Sequence, residues 1–125
     1  MTFSLLLVED NPKTRQRLLD IVEGLDCRVT IAVDGLDGLN QATMNNFDVV
    51  LLDHKMPLMD GLSLLKNLRE VPAYARTPLI LMTTAELENV SRLAERAGAT
   101  LTLSKPLDAA ELRQILQRLA YSDVA

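Results

Sequence analysis

A chain of 125 residues is one domain by length, and 48% hydrophobic against 24% charged residues suits an ordinary globular core. The formal net charge of −4 argues against a nucleic-acid surface, which needs clustered Lys and Arg to displace counterions. No apolar run approaches the ~20 residues that span a bilayer, and Met1-Thr2-Phe3-Ser4 lacks a signal-peptide pattern, so no membrane contact and a cytoplasmic setting are expected.

Ser4 to Val8 is an apolar run that ends on Glu9-Asp10, and it reads as a buried strand. Asn11-Pro12 then opens a helix, since Asn is a good N-cap and Pro is favoured at the first helical position. Leu18, Ile21, Val22 and Leu25 give that helix one buried stripe. Cys27 to Ala32 is β-branched and alternating, a second strand. Cys27, the single cysteine, reads as a small core residue. Asp34-Gly35 is expected to turn the chain into a second helix through Leu39, Ala42 and Met44, closed by Asn45-Asn46. Gly38 weakens it, because Gly costs ~1 kcal/mol relative to Ala inside a helix.

Val49-Val50-Leu51-Leu52 is four apolar residues in a row, halted by Asp53. Such a run reads as a strand buried on both faces of a parallel sheet, with Asp53 at its carboxyl end. Pro57 and Asp60-Gly61 supply turn chemistry before a third helix, Gly61 to Arg69. Val71 to Thr77 is read as a loop. Pro78 to Thr84 is a fourth strand, ending on hydroxyls. Ala85 to Ala97 is a fourth helix with Val90, Leu93, Ala94 and Ala97 on one face and Gly98 as C-cap. Leu101 to Ser104 is a fifth strand, stopped by Lys105-Pro106. Asp108 caps a last helix with Leu112, Ile115, Leu116 and Leu119 as its stripe. Tyr121 to Ala125 reads as a frayed tail, so the domain is placed at 1–121 and a C-terminal tail at 122–125. Five strands alternating with five helices imply a parallel sheet covered on both faces.

In such a sheet the strand ends share one edge, where ligand chemistry gathers. Glu9, Asp10, Asp53, Thr83 and Lys105 would meet there. Three carboxylates together repel and call for a cation, and Mg²⁺ takes a few carboxylates plus waters and phosphate oxygens. A hydroxyl and an ammonium beside them suit a phosphoryl group. Phosphoryl transfer to an Asp nucleophile is the chemistry this suggests.

With Leu7-Val8-Glu9-Asp10-Asn11, Asp53, Met56-Pro57-x-x-Asp60-Gly61, Thr83 and Lys105-Pro106 in order, the chain resembles the receiver domain of a bacterial two-component response regulator, similar to the chemotaxis regulator. The likeness covers essentially the whole chain. It implies a flavodoxin-like (βα)5 three-layer sandwich with a five-stranded parallel sheet in the order 2-1-3-4-5. It also implies that Asp53 accepts a phosphoryl group from a phosphohistidine on a sensor histidine kinase or phosphotransfer protein. Glu9, Asp10, Asp53 and the Lys55 backbone carbonyl would hold Mg²⁺. Thr83 would bond the phosphoryl oxygens and switch position, Lys105 would pair with them, and a cis peptide bond would precede Pro106. The surface of helix four, strand five and helix five would report the switch and offer a homodimer face. The domain would be no enzyme beyond catalysing its own phosphorylation and dephosphorylation, and would not itself bind nucleic acid.

The sequence departs from that pattern in places. Thr102 stands where many members carry an aromatic switch residue. Leu101 is expected to add apolar area to the interaction face. Neither Lys55 nor Ala85 is a carboxamide or carboxylate able to orient water, so slow loss of the phosphoryl group is expected. Thr84 is bulkier than the usual small residue and is expected to narrow access. His54, the only histidine, reads as an exposed loop residue rather than a proton-transfer group, and Met56 and Met59 read as packing. The rival reading is a receiver-fold scaffold or adaptor that acts without phosphorylation. A flavodoxin-type electron carrier fails for want of a phosphate loop after strand one, and an Asp-x-Asp phosphatase fails because residue 55 is Lys.

Overall fold

The computed structural model describes residues 2–121; Met1 and residues 122–125, the expected tail, lie outside the described residues. The elements alternate as β1 (Phe3–Val8), α1 (Pro12–Val22), β2 (Cys27–Ala32), α2 (Gly35–Met44), β3 (Val49–Asp53), α3 (Gly61–Arg69), β4 (Leu79–Thr83), α4 (Leu87–Ala97), β5 (Leu101–Ser104) and α5 (Ala109–Ala120), with one 3₁₀ turn at Pro72–Tyr74. All four strand pairings are parallel and the order is β2-β1-β3-β4-β5.

Strand alternation divides the core into two layers. Leu6, Val8, Val50, Leu52, Leu79 and Leu81 face Leu64, Leu65, Leu68, Val90 and Ala94 of α3 and α4. Leu5, Leu7, Val49, Leu51, Ile80 and Met82 face Leu18, Ile21, Val22, Leu112, Ile115 and Leu116 of α1 and α5. β1, β3 and β4 are therefore apolar on consecutive residues because both faces are covered. Each fully buried leucine contributes about 2 kcal/mol of transfer free energy.

The helix starts follow the cap chemistry. Asn11 accepts from the Lys13 and Thr14 amides, Asp34 from Asp37, Asp60 from Ser63 and Asp108 from Glu111. Gly98 closes α4 in the left-handed conformation, φ 114°.

Two expectations are corrected, for Gly35 and Leu93, and the packing of Gly38 and Leu101 is added. Gly35 is the first residue of α2 rather than part of a turn, because Asp34 caps the helix directly before it. Gly38 costs α2 helix propensity for a packing reason: a Cβ there would lie 3.0 Å from Val8 Cγ2, so the bare backbone lets α2 settle on β1. Leu93 is 53% exposed and leaves the buried stripe of α4 to Val90, Ala94 and Ala97. Leu101 packs with Leu103 against the α1/α5 layer, since residues two apart in a strand share a face, and it is half-buried there.

The loop at 71–77 carries more order than expected. Tyr74 in the 3₁₀ turn is buried, and its hydroxyl donates to the Ala42 and Asn45 carbonyls, each at 2.8 Å. Arg69 donates to the carbonyls of Tyr74, Thr77 and Gly98, pinning this segment to the end of α4. Tyr121, placed in the tail, caps α5 and sets its ring edge-on to Phe3 at 5.6 Å.

Candidate functional site

β1, β3 and β4 end together, so their last residues and the β5–α5 loop meet at one edge of the sheet. Glu9 follows β1 and is fully buried; Asp10 is half-buried. The Glu9 carboxylate accepts the Asn11 amide at 3.1 Å, and Arg15 donates to its carbonyl at 3.0 Å. Asp53 ends β3 at 6% exposure. One carboxylate oxygen from each of Glu9, Asp10 and Asp53 lies within 4.8 Å of the others.

Lys105 enters from the β5–α5 loop. Its amide donates to the Thr83 carbonyl at 2.8 Å, and the peptide bond to Pro106 is cis. Arg17 of α1 donates to the Leu107 carbonyl at 2.7 Å and anchors the same loop. The Lys105 ammonium then bridges Glu9 Oε1 at 3.1 Å and Asp53 Oδ1 at 3.0 Å. Burial pushes the Glu9 carboxyl up, with the Asp53 charge adding to it, against the opposing Asn11 amide and Lys105. Burial alone would lower Lys105, but its hydrogen bonds to Asp53 and Glu9 outweigh that and raise it, so the ammonium is held charged.

The donor set fits Mg²⁺. Three carboxylates offer hard oxygen ligands, and their mutual repulsion is only partly offset by one ammonium. Lys55 lies exposed in the loop after β3, two residues beyond Asp53.

Thr83 and His54 occupy the other side of the sheet end. In β3, Val49 and Leu51 face α1 and α5, which puts Asp53 on that side and His54 on the α3/α4 side. Leu79 and Leu81 place Thr83 on the α3/α4 side as well. The His54 amide extends the ladder to the Met82 carbonyl at 2.9 Å, and its ring Nδ1 lies 2.8 Å from Thr83 Oγ1. The ring is 6% exposed and burial lowers its pKa. The expected exposed loop histidine is thus a buried partner of Thr83. The Ala85 amide donates to the same hydroxyl at 3.0 Å. The sequence gives one signal for this: carrying β3 one residue further turns residue 54 inward.

Thr84 is exposed, Thr102 is half-buried on β5, and Met56 and Met59 pack against the α3/α4 core as expected. Gly61 is needed where it stands. A Cβ there would come within 2.3 Å of the Asp53 carbonyl oxygen, and its amide donates to the His54 carbonyl.

The sheet order and the carboxylate–lysine cluster define a flavodoxin-like α/β domain with an acidic site at the carboxyl edge of its sheet. The sequence matches the response regulator receiver domain over residues 5–117, and the chain belongs to that family, the receivers of two-component signal transduction. It is 43% identical over 110 residues to the transcriptional activator protein PfeR of Pseudomonas aeruginosa, covering 86% of this chain and 34% of that one. It is 30% identical to the probable transcriptional regulator ycf29 of Porphyra purpurea, over 98% of this chain and 59% of the relative. The chain thus spans less than two thirds of the length of each of these relatives. Among solved structures it is similar to the receiver domain of sensor histidine kinase PA1611 of P. aeruginosa PAO1, at TM-score 0.88 and 32% identity, over 96% of this chain and 98% of that one; that protein has a magnesium ion coordinated in its active-site cleft. Chemotaxis response regulator CheY4 of Vibrio cholerae matches at TM-score 0.88 and 30% identity, over 95% and 99%. No helix among the described residues is long and apolar enough to cross a membrane.

Proposed function

We propose that Asp53 is the phospho-acceptor of this receiver, taking a phosphoryl group from a phosphohistidine on a sensor histidine kinase or phosphotransfer protein. The observation that carries this is the Lys105 ammonium seated between Asp53 and Glu9, with Asp10 completing the acidic cluster. A carboxylate oxygen of Asp53 bonds to phosphorus as the P–N bond breaks, and that bond's electron pair returns to the imidazole of the donor. Lys105 turns from the carboxylates to the phosphoryl oxygens, offsetting their charge. Glu9, Asp10, Asp53 and the Lys55 backbone carbonyl would hold Mg²⁺. When bound, the ion neutralises charge between the carboxylates and the transferring group. Thr83 donates its hydroxyl to a phosphoryl oxygen. Phosphorylation then biases a two-state equilibrium read at the α4–β5–α5 surface, where a second copy would dock. The setting is the cytoplasm, and the only catalysis is of the domain's own phosphorylation and dephosphorylation.

Intact mass after incubation with acetyl phosphate, with and without Mg²⁺, tests this beside Asp53→Asn. A Mg²⁺-dependent gain of one phosphoryl group, lost in the variant, is expected. No gain under any condition favours a scaffold that works without phosphorylation.

A further inference from the structure

We propose that His54 is a positioning residue that latches the Thr83 hydroxyl on the α3/α4 side of the sheet, so that phosphorylation of Asp53 must break the His54–Thr83 hydrogen bond before Thr83 can serve the phosphoryl group. The inference rests on the phospho-acceptor reading of Asp53.

The Thr83 hydroxyl is fully buried and has two neighbours of hydrogen-bonding kind, His54 Nδ1 at 2.8 Å and the Ala85 amide at 3.0 Å. The amide fills one lone pair. If Nδ1 accepts, it takes the hydroxyl's single proton; if Nδ1 donates, it fills the second lone pair. In both tautomers, moving the oxygen toward Asp53 breaks this bond. Asp53 and Lys105 are engaged with each other instead, at 3.0 Å. Strand alternation explains the separation: Asp53 points to the α1/α5 layer, and His54 and Thr83 to the α3/α4 layer. The His54 backbone is held in turn by its amide's ladder bond to the Met82 carbonyl and by the Gly61 amide on its own carbonyl, so the latch is fixed at its base.

Release has a route outward. The Ala85 amide rides on the Thr83 hydroxyl, and Ala85 lies two residues before α4 begins at Leu87. A hydroxyl that leaves His54 drags or drops that amide, which alters the start of α4. This chain of three residues supplies a path from site to surface where Thr102 stands in place of an aromatic.

The test is a double-mutant cycle on binding of beryllofluoride with Mg²⁺, a stable mimic of the phosphoryl group, read by calorimetry. His54→Leu removes the latch and is expected to tighten binding about fivefold, the worth of one hydrogen bond. His54→Asn, whose carboxamide stands at the same distance from Cα as Nδ1, is expected to restore the unaltered affinity. In a Thr83→Ala background, His54→Leu is expected to change nothing. A second readout needs no ion: in the Mg²⁺-free chain His54→Leu shifts the Thr83 methyl NMR resonance and His54→Asn leaves it near its original place. Where His54→Leu does not fold cooperatively, His54→Phe runs the same cycle. Unchanged or weaker binding in His54→Leu, or an equal change with Thr83→Ala, overturns the latch alone. If the unaltered chain binds no beryllofluoride, the phospho-acceptor reading falls and the latch with it.

Discussion

At the scale of single residues, the site is a balance of charge. Lys105 holds two carboxylates that would otherwise repel, and it keeps its proton because of them. The same ammonium is the group available to a phosphoryl oxygen. What happens after transfer depends on whether water is oriented toward the phosphorus. Lys55 is exposed two residues past Asp53, and Ala85 offers only a methyl group. Neither side chain is a carboxamide or carboxylate able to orient water, so the aspartyl phosphate is expected to decay on the order of minutes to hours rather than seconds. Lys55→Asn combined with Ala85→Glu is expected to shorten its lifetime several-fold, followed by the fall of phosphorylated mass with time; an unchanged decay refutes the water argument. Glu9 and Asp53 were legible in the sequence because each directly ends an apolar run, Asp10 because it follows Glu9, and Lys105 because it closes the short fifth strand before Pro106. His54 was not. Its neighbours in sequence are turn residues, and only the extension of β3 to the Met82 carbonyl turns the ring inward.

At the scale of elements, the turn after β3 decides where Asp53 stands. Gly61 opens α3 with its backbone against the Asp53 carbonyl, and an added Cβ at 2.3 Å meets backbone rather than a side chain that can yield. Gly61→Ala is expected to destabilise the fold by about 2 kcal/mol or more, through backbone strain at the site, and to reduce phosphoryl uptake. Gly24→Ala is the control, since the nearest atom to a Cβ there is Arg113 Cδ at 3.7 Å. Urea unfolding checks both; equal small effects contradict the close-approach argument. The boundaries of β2, α3 and β5 follow directly from periodicity and caps. The 3₁₀ turn at Pro72–Tyr74 does not, because three residues carry no period and its anchors are carbonyls 29 and 32 residues away.

For the whole molecule, parallel alternation brings distant residues to one edge. Lys105 reaches Glu9 across 96 residues and Asp53 across 52. Sheet order, layering and the meeting of the carboxylates were readable because consecutive apolar strands have few topologies open to them. The face of Leu101 follows from that of Leu103 by period two, and it is the α1/α5 side of the sheet. The central claim is that this convergence makes Asp53 a nucleophile for phosphorus. Borohydride reduction after acetyl phosphate treatment tests it most directly, because an acyl phosphate on Asp is reduced to homoserine while a free carboxylate is not. Peptide mass spectrometry is predicted to find homoserine at position 53, dependent on Mg²⁺. Homoserine at another acidic residue, or at none, would contradict the account.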